Sequence, residues 1–497
     1  MSKDKEEKKE ERKEEKKEEK KEEKKDEKKE EKREKRSVED QEWYHGYRPK
    51  KDCKSLLKSP GEFLVRATDT GTGASTDIVI SVVDDHCKIV NMTLRLDDGL
   101  WYIGTKKEGI YKIKKFKTIT DLVEHYRVHP PSRRLKMSTV VARPVWMIKH
   151  AQVKYEKTAL GSGNFCSVYK GTLSRSKEES MAVAVKISHT STATPDEESD
   201  EAKEARKAMV HEAQIMSYYT HDNVIKFLGV ACDVKPVLVV MEFCPGGDLA
   251  SHLQKRGKDI SIQEKVLYSF EASLGMTYLH SKNCVHRDLA ARNCLISANG
   301  VVKISDFGLS MMRDESQEKS EKEKHSNAQV PLRWMAPESL SKPYPYNVKT
   351  DVWAYAVMLY EIFNDGIKPY PDDPVKAVVH KIKRCDMPKM PEKTPLVIQT
   401  ITKKTWTLEA DKRPSMREIT GKLHELYKND PVTTAEALAV NKIAGVKRTQ
   451  LLPSEETESE DTAGTTDNEG TNKGGKKPRS SSRAKRIEKR RAGSHRE

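Results

Sequence analysis

Oxygen-bearing side chains in two short segments are the residues best suited to chemistry. The first segment, VHRDLAARNCL at 285–295, contains Asp288 and Asn293, and the second, KISDFGLS at 303–310, contains Asp306. Carboxylate and amide oxygens are hard ligands, and hard divalent cations prefer them to softer donors. The two segments therefore favour a site for a hard divalent cation over a site for a softer metal.

A glycine-rich segment upstream is suited to holding phosphate groups. LGSGNFCSV occupies residues 160–168, and Gly161 and Gly163 would let the backbone approach a phosphate because a Cβ would intrude. The apolar run VAVK follows and ends at Lys186, while Glu212 lies in the helix-like VHEAQIM. Both charged side chains lie in apolar surroundings, which argues against two ordinary surface residues.

These segments, at their mutual spacing, resemble a protein kinase. The resemblance implies ATP and Mg²⁺ as cofactors and transfer of the γ-phosphoryl group to a protein hydroxyl. It implies that Asp288 orients the attacking hydroxyl and that Lys186 bridges the α- and β-phosphates while pairing with Glu212. It also implies that Asn293 and Asp306 bind the magnesium ion. The implied nucleotide-binding residues lie in the glycine-rich loop, the following strand and the hinge: Leu160, Gly161, Ser162, Gly163, Asn164, Phe165, Cys166, Ser167, Val168, Lys186, Met241, Glu242 and Cys244.

Three residues indicate which hydroxyl is phosphorylated. Arg292, in HRDLAARN, stands where serine/threonine kinases typically carry a lysine, so it joins the implied catalytic residues. Pro331 and Trp334, in VPLRWMAPE, lie where those kinases have a different substrate platform. Both segments resemble tyrosine kinases, whose platform holds a longer side chain farther from Asp288.

The region before the kinase segments carries its own motifs. WYHG at 43–46 and FLVR at 63–66 are followed by alternating runs such as DIVISVV, which predict strands. Together they resemble the Src-homology 2 domain, a phosphotyrosine-binding module. The resemblance implies that Arg66 forms a bidentate pair with the phosphate, because its planar fork matches two phosphate oxygens. It places Thr68 as a hydroxyl donor and the glycine-rich loop 69–73 as a source of backbone N–H groups.

Two positions of the implied phosphotyrosine pocket depart from the family pattern. Lys50 stands where an arginine is frequent, and Asn91 stands at the position of a histidine. Both replacements keep hydrogen-bond donors, so we expect binding to persist with lower affinity. The alternative is a Src-homology 2 fold that no longer binds phosphotyrosine, and the intact Arg66 argues against it.

The expected fold class is multidomain α+β, with a Src-homology 2 domain followed by a bilobal protein kinase domain between disordered charged tails. The expected segments are a Lys/Glu-rich 1–39, the first domain at 40–131, a linker at 132–152, the kinase at 153–428 and a tail at 429–497 that is basic at its end. The domain order resembles the Fes/Fer group of non-receptor kinases. That group begins with an F-BAR and coiled-coil region, whereas this sequence begins with an EEKK repeat that stacks like charges at i,i+4 and disfavours a helix.

Composition sets the expected compartment and partners. The chain of 497 residues has a net charge of +15 and eight cysteines, with no C-x-x-C pair, so we expect free thiols in a reducing compartment. The sequence has no signal peptide and no apolar run long enough to span a bilayer. We therefore expect a cytoplasmic protein, whose partners are tyrosine-phosphorylated proteins and protein substrates. The basic tail adds acidic lipid, with recruitment to the inner face of the plasma membrane, or nucleic acid as further options.

Two other functions are compatible with parts of the sequence. A phosphotyrosine-binding scaffold with a weak or inactive kinase domain is favoured by Cys166, which replaces the third glycine of the phosphate loop. That cysteine should stiffen the loop, and it would weaken ATP binding or bring a thiol near the nucleotide. A serine/threonine kinase is the other alternative, and Arg292 and Pro331 argue against it.

The activation segment contains no tyrosine between Phe307 and Pro337. In regulated kinases the HRD arginine, here Arg287, usually grips a phosphate on this loop. Three interpretations remain: a glutamate (Glu318 or Glu321) replaces the phosphate, another kinase phosphorylates Ser320, or docking through Arg66 supplies activation. We favour the docking-dependent interpretation, because a single carboxylate is a weak clamp.

Overall fold

The computed structural model describes residues 37–69, 76–104, 114–162, 166–176, 178–188, 200–312, 331–341 and 345–451. Within these ranges an α+β domain precedes a second domain with a sheet-rich lobe and a helical lobe, which confirms the expected fold class. Most of the disorder expected for 1–39 and 429–497 falls on 1–36 and 452–497, which lie outside the described residues. So do the expectations for Gly163, Asn164 and Phe165, for most of loop 69–73, and for Glu318, Ser320 and Glu321. Residues 37–39 depart from the expected disorder, because Val38–Asp40 form a 3₁₀ helix and Val38 packs against the core of the first domain.

A sheet whose central strand is buried on both faces forms the first domain. Phe63 and Val65 enter one core cluster, whereas Leu64 enters another together with Cys53. Since side chains alternate along a strand, Arg66 shares the face of Leu64. The strands are β1 Tyr44–Tyr47, β2 Glu62–Asp69, β3 Thr76–Val83, β4 Ile89–Asp97 and β5 Leu100–Ile103, in that spatial order, and the helices are α1 Cys53–Leu56 and α2 Ile119–Val128.

The expected linker at 132–152 contributes a short strand to each domain. Strand β6, Thr139–Val140, pairs in parallel with β2 of the first domain. Strand β7, Met147–Ile148, pairs in parallel with β11, Phe227–Ala231, of the second. The linker is therefore hydrogen-bonded into both sheets.

The sheet-rich lobe of the second domain carries the glycine-rich loop and Lys186. Its remaining strands are β8 Val153–Ser162, β9 Cys166–Ser174, β10 Ser180–Ser188 and β12 Leu238–Glu242, and the sheet order is β7-β11-β12-β10-β9-β8. Lys186 on β10 pairs across the sheet with Val168 and Val239. One long helix, α3 Asp200–Met216, packs against this sheet and carries Glu212.

The helical lobe is built around two buried helices. Its helices are α4 Leu249–Arg256, α5 Ile262–Ser281, α6 Val348–Phe363, α7 Val375–Lys383, α8 Leu396–Thr405 and α9 Met416–Asn429. This lobe also contains two short antiparallel strand pairs: β13 Cys284–Val285 with β16 Met311–Met312, and the hairpin of β14 Cys294–Ile296 with β15 Val302–Ile304. Helix α6 is buried along most of its length, because Val352, Trp353 and Leu359 pack on different sides of it.

The expectation that disorder begins at residue 429 is wrong. After α9 the chain continues through two short 3₁₀ turns, Ala435–Ala437 and Ala439–Lys442, and its Leu438, Val440 and Val446 are buried in the main core. The sequence there looks like a polar tail because its apolar residues lack a helical or strand period. We call residues 430–451 the C-terminal segment.

The two domains meet at β1 and the end of β11. The Tyr47 N–H donates to the Cys232 carbonyl oxygen at 2.7 Å. Gly46 has φ +56°, and a Cβ there would lie 2.7 Å from the same oxygen, so only glycine allows this approach. Nearby, Arg143 of the linker forms a two-armed ion pair with Asp233, at 2.6 and 3.1 Å.

All eight cysteines are free thiols, and five of them are buried. None of the helices in the described part of the chain is both long enough and apolar enough to cross a membrane.

Candidate functional site

Lys186 lies between two carboxylates at the junction of the lobes. Its Nζ donates to Glu212 Oε1 at 2.8 Å and to Asp306 Oδ1 at 3.1 Å. Burial alone would lower the pKa of Lys186, but the two carboxylates outweigh it and raise the pKa above its ordinary value. The lysine is therefore charged, and its ion pair with Glu212 joins β10 to α3.

Asp288 is held by two side chains from the same loop. Arg292 donates to Asp288 Oδ1, and Asn293 Nδ2 donates to Asp288 Oδ2 at 2.8 Å. Burial raises the pKa of Asp288, against the opposing effect of Arg292. A carboxylate with a raised pKa accepts a proton more readily, as a base that receives a hydroxyl proton must.

The β14–β15 hairpin brings Asn293 and Asp306 to one end. Asn293 immediately precedes β14, and Asp306 follows β15 by two residues. Ser305, between β15 and Asp306, donates both its N–H and its hydroxyl to the Asn293 carbonyl oxygen, at 2.8 and 2.9 Å. The hairpin therefore places Asn293 and Asp306 at the same end.

The donor set at this end of the hairpin fits a magnesium ion. Lys186 lowers the pKa of Asp306, so its carboxylate is ionised. The Asn293 amide directs its nitrogen to Asp288, at 2.6 Å from the carbonyl and 2.8 Å from the carboxylate, which leaves the amide oxygen available to a cation. One carboxylate and one amide oxygen match the preference of Mg²⁺ for a few protein oxygens, with other positions filled by water and phosphate.

Buried residues fix the catalytic loop from below. Asp351 accepts the backbone N–H groups of His286 and Arg287 at 2.8 and 2.9 Å. The His286 ring is fully buried, approaches the Ser305 carbonyl at 3.1 Å and packs edge-on against Phe307. His286 therefore packs inside the lobe and supports the loop. Farther down the lobe, Glu338 and Arg413 form a bidentate ion pair, at 2.7 and 2.8 Å.

Arg287 and Asp306 have left-handed backbones, with φ of +70° and +64°. Residues other than glycine adopt this region at a cost, and such residues cluster at functional sites. The Arg287 guanidinium also lies over the Tyr346 ring, 4.0 Å from its centroid. The sequence predicts only an anion as the partner of Arg287. Nothing in the sequence around Tyr346, upstream of α6, indicates this contact.

The thiol of Cys166 lies near the Lys186 cluster at the start of β9. Burial raises the pKa of Cys166 to about 11, and Lys186 only partly opposes this. The thiol is therefore almost wholly protonated at neutral pH, which makes it a weak nucleophile. Of the other loop residues, Leu160, Gly161 and Ser162 end β8, while Ser167 and Val168 continue β9.

The expected hinge residues lie at the end of β12 and just beyond it, since Met241 and Glu242 belong to the strand and Cys244 follows it. Met241 is buried opposite Ala184 of β10, and Cys244 is buried two residues past the strand. Glu242 accepts the Lys226 N–H at 2.6 Å and pairs with Lys303 at 3.0 Å. The Glu242 side chain is therefore tied to the body of the protein.

Glu361 of α6 joins the catalytic loop to the substrate platform, and the sequence reasoning did not identify it. Its Oε2 accepts the Ala291 N–H at 3.0 Å and the Trp334 indole N–H at 2.9 Å. The Trp334 ring lies 4.3 Å below the guanidinium of Arg292, which in turn holds Asp288. Burial raises the pKa of Glu361 to about 7.

In the first domain, Arg66 is buried with all three guanidinium nitrogens engaged. Nε donates to Ser81 Oγ at 3.0 Å, Nη1 to the Arg48 carbonyl at 2.9 Å and Nη2 to Asn91 Oδ1 at 3.1 Å. Asn91 therefore contacts Arg66. Ser81 is a second side-chain partner of Arg66, and the FLVR motif did not indicate it. Thr68 shares the Arg66 face of β2, two residues on, while Lys50 is exposed before α1.

Comparison with known proteins agrees with this geometry. A family model for protein tyrosine and serine/threonine kinases matches residues 154–423, and an SH2 domain model matches residues 43–126. The chain is 33% identical to human tyrosine-protein kinase Fer over 78% of its own length and 44% of that of Fer. It is 33% identical to Fer-related kinase 1 of Caenorhabditis elegans over 79% of its own length and 95% of the relative.

A further relative is the transforming protein Fps of avian sarcoma virus strain PRCII, which is a tyrosine-protein kinase by name. It is 31% identical to this chain over 76% of the chain and 66% of the relative. The chain spans less than half the length of Fer, but nearly all of Fer-related kinase 1. The protein belongs to the tyrosine-kinase family that includes Fer and Fps, with an SH2 domain followed by the kinase domain.

Proposed function

We propose that this protein is a non-receptor tyrosine kinase that transfers the γ-phosphoryl group of ATP to tyrosines of proteins. The observation that carries the proposal is the cluster of Lys186, Glu212 and Asp306, with nitrogen–oxygen distances of 2.8 and 3.1 Å. A lysine held by two carboxylates at the lobe junction is positioned to bind phosphates between the lobes, as phosphoryl transfer requires.

Each residue around this cluster has a proposed role. Asp288 accepts the proton of the substrate hydroxyl, and its raised pKa suits that step. Arg292 holds Asp288 in place and Asn293 fixes its other oxygen. Asn293 and Asp306 would bind Mg²⁺, which neutralises charge on the transferring phosphate when it is bound. Lys186 orients the remaining phosphates, and the strand and hinge hold the adenine.

Tyrosine is the proposed acceptor rather than serine or threonine. The support is the stack of the Arg292 guanidinium on the Trp334 ring, at 4.3 Å, and the bond from Trp334 to Glu361. This rigid platform lies beside Asp288 and keeps a substrate backbone at a distance that a tyrosine side chain would bridge.

The first domain is proposed to bind tyrosine-phosphorylated proteins. Its support is the buried Arg66, which already lies among donors and acceptors of hydrogen bonds. A phosphate would replace neutral acceptors with charged oxygens, which form stronger bonds with a guanidinium. Asn91 and Thr68 complete the proposed pocket, and Lys50 is proposed to cover the phosphotyrosine ring.

Activation is proposed to depend on docking of the SH2 domain rather than on phosphorylation of the activation loop. Two contacts support this proposal: Arg287 already rests on Tyr346, and Asp69 of the SH2 domain pairs with Arg206 of α3. The test is a time course of purified enzyme preincubated with Mg-ATP, with mass spectrometry of residues 309–333. A lag that preincubation removes, together with a phosphate on this peptide, would contradict the proposal.

A scaffold with an inactive kinase domain is the second candidate, and Cys166 is the observation that favours it. Radiolabelled ATP with a tyrosine copolymer and with casein separates the candidates, beside a Lys186→Met control. Label on the copolymer alone supports the tyrosine kinase, label on casein supports a serine/threonine kinase, and no label above the control supports the scaffold.

The proposed compartment is the cytoplasm. The support is the set of eight free thiols, which suits a reducing environment. Recruitment to acidic lipid at the plasma membrane, or contact with nucleic acid, through the basic residues near 476–491 remains part of the proposal. Imaging of a fluorescent fusion with and without those residues tests it.

A further inference from the structure

The C-terminal segment, residues 430–451, continues past the matched kinase region and packs against α5. Tyr427 at the end of α9 donates its hydroxyl to the Leu451 carbonyl at 2.6 Å, so the segment returns to the helix from which it departs. Between these points Gly445 lies beside Pro245 of the hinge, where an added Cβ would come within 3.3 Å of the proline side chain. The segment therefore wraps the helical lobe behind the hinge.

Two buried carboxylates of α5 bind this segment through hydrogen bonds and an ion pair. Glu264 accepts the N–H groups of Ala439 and Val440 at 2.9 and 3.1 Å. Glu271, two helical turns later, forms an ion pair with Arg448 at 2.5 Å, and both side chains are at most 1% exposed. A carboxylate is almost never fully buried without a charged or hydrogen-bonding partner. Helix α5 is therefore built to bind the segment.

The same arginine reaches the turn of the β14–β15 hairpin. Arg448 Nη1 donates to the Gly300 carbonyl at 2.8 Å, and the Lys447 N–H donates to the Ala298 carbonyl at 2.8 Å. The other oxygen of Glu271 accepts the Val302 N–H, at the start of β15, at 2.9 Å. Arg448 and Glu271 thus hold the closed end of the hairpin from two sides.

The open end of this hairpin carries the two proposed magnesium ligands. Asn293 enters β14 and Asp306 leaves β15, and three backbone-paired residues on each strand connect them rigidly to the turn. A displacement of the turn would be transmitted along the paired strands to both ligands. Groups that orient metal ligands from outside the coordination shell typically change metal affinity when they are removed.

We propose that the C-terminal segment is a clamp on the β14–β15 hairpin and that Arg448 is a positioning residue for Asn293 and Asp306. The clamp raises the affinity for Mg-nucleotide without touching either the metal or the nucleotide. The inference rests on the proposed metal-binding function of Asn293 and Asp306. It extends the catalytic domain to residue 451, past the end of the matched kinase region at 423.

The test is magnesium-dependent ADP binding to the full chain, measured by calorimetry, together with the melting temperature and with KM and kcat for Mg-ATP. Arg448→Met should raise the Kd for Mg-ADP by about 10-fold, the lower end of the effect of such outer groups. Binding of ADP in the presence of a chelator should change little. Lys442→Met is the matched control, since it is an exposed lysine of the same segment and should leave all values unchanged.

A second variant separates positioning from folding. Arg448→Met leaves Glu271 buried without its cation, whereas Arg448→Met with Glu271→Gln has no unpaired buried charge and should melt near the wild type. We expect this double variant to keep the weakened Mg-ADP binding, because the Arg448 contact with Gly300 is still missing. Recovery of wild-type Mg-ADP affinity in the double variant, or unchanged affinity in a folded Arg448→Met protein, would overturn the proposal.

An Asp306→Asn variant distinguishes failure of the clamp from failure of the metal assignment. If Asp306→Asn leaves the magnesium dependence of ADP binding intact, the proposed ligands are wrong and the clamp has nothing to position. If it abolishes that dependence while Arg448→Met does not alter it, the ligands stand and the clamp is overturned.

Discussion

The carboxylate of Asp69 in the SH2 domain pairs with the guanidinium of Arg206 on helix α3 of the kinase, and both side chains are at least 88% buried. Tyr47 completes the contact, since its hydroxyl donates to Asp69 at 2.6 Å and its ring lies 4.5 Å from the Arg206 guanidinium. Glu212 lies on the same helix, fewer than two turns further on. Strand β2, which ends at Asp69, is thus connected to the helix whose Glu212 pairs with Lys186.

Loss of the ion pair between Asp69 and Arg206 should lower kinase activity, although neither residue lies in the proposed active site. We expect Arg206→Ala to reduce kcat on a short tyrosine peptide by about 5-fold or more, the usual lower bound for coupling between two sites. The physical reason is that α3 loses its anchor and Glu212 leaves Lys186 more often. The reversed pair, Asp69→Arg with Arg206→Asp, should recover part of the activity, and exposed Lys428→Ala should have no effect. Equal activity of Arg206→Ala and wild type would contradict this coupling.

Lys186→Met should abolish phosphoryl transfer. A preorganised donor at a developing charge is worth about 100- to 1000-fold in kcat, so we expect at least the lower value. Lys226→Met, an exposed lysine on the same lobe, is the matched control and should retain full activity. The measurement is the initial rate on the tyrosine copolymer, and a Lys186→Met rate within a factor of ten of wild type would remove Lys186 from the mechanism.

Arg66→Ala should prevent capture of phosphotyrosine peptides by the full chain. Truncating one partner of a buried charge pair costs about 2–5 kcal/mol, so we expect Kd to rise at least about 30-fold in a fluorescence polarisation assay. Arg95→Ala, an exposed arginine of the same sheet, is the control. Activity on a short unphosphorylated peptide should fall less than activity on a phosphorylated protein substrate. Binding that survives in Arg66→Ala would place the phosphate elsewhere.

The Cys166 thiol should react slowly at neutral pH. Its pKa of about 11 leaves little thiolate at pH 7.5, so iodoacetamide should label the exposed Cys87 well before Cys166. Labelling of Cys166, followed by mass spectrometry, should accelerate as the pH rises towards 10. Cys166→Gly should bind ATP more tightly, because a glycine restores backbone freedom at the loop. Rapid labelling of Cys166 at pH 7.5 would show that the thiol is exposed in solution.

Glu361 should make stability depend on pH. Its pKa is about 7 in the folded protein, above the ordinary value of a glutamate, so the folded state binds this proton more tightly. The stabilisation is therefore complete below about pH 4.5 and is lost as the pH rises through 7, by about 3 kcal/mol in total. Glu361→Gln keeps an oxygen for Ala291 and Trp334 but cannot ionise. We expect the wild-type free energy of unfolding, relative to Glu361→Gln, to fall between pH 5 and 8 in urea titrations, and a constant difference would refute the shift.

The placement of Asp288 beside Asn293 could be predicted because both residues belong to one short motif. Asp288 and Asn293 lie five residues apart on one loop, and their hydrogen bond forms within that loop. The role of Glu361 could not be predicted from a local motif, because the residue contacts Ala291 across 70 residues of sequence. In the sequence it is simply a charged residue within an apolar helix. Arg448 meets Glu271 across 177 residues and lies in a run of polar residues that has no secondary-structure period. Pairings of this kind follow from tertiary packing rather than from local sequence.

The Gly46 contact affects which tyrosines of a substrate the kinase domain could reach. Because the glycine of WYHG lies against the Cys232 carbonyl, and Arg143 joins Asp233 beside it, the pocket of Arg66 and the cleft of Asp288 are held at a set separation. A substrate bound at both sites must span that separation along its own chain. We therefore expect the number of residues between an existing phosphotyrosine and the next tyrosine of a substrate to decide whether that second tyrosine is phosphorylated.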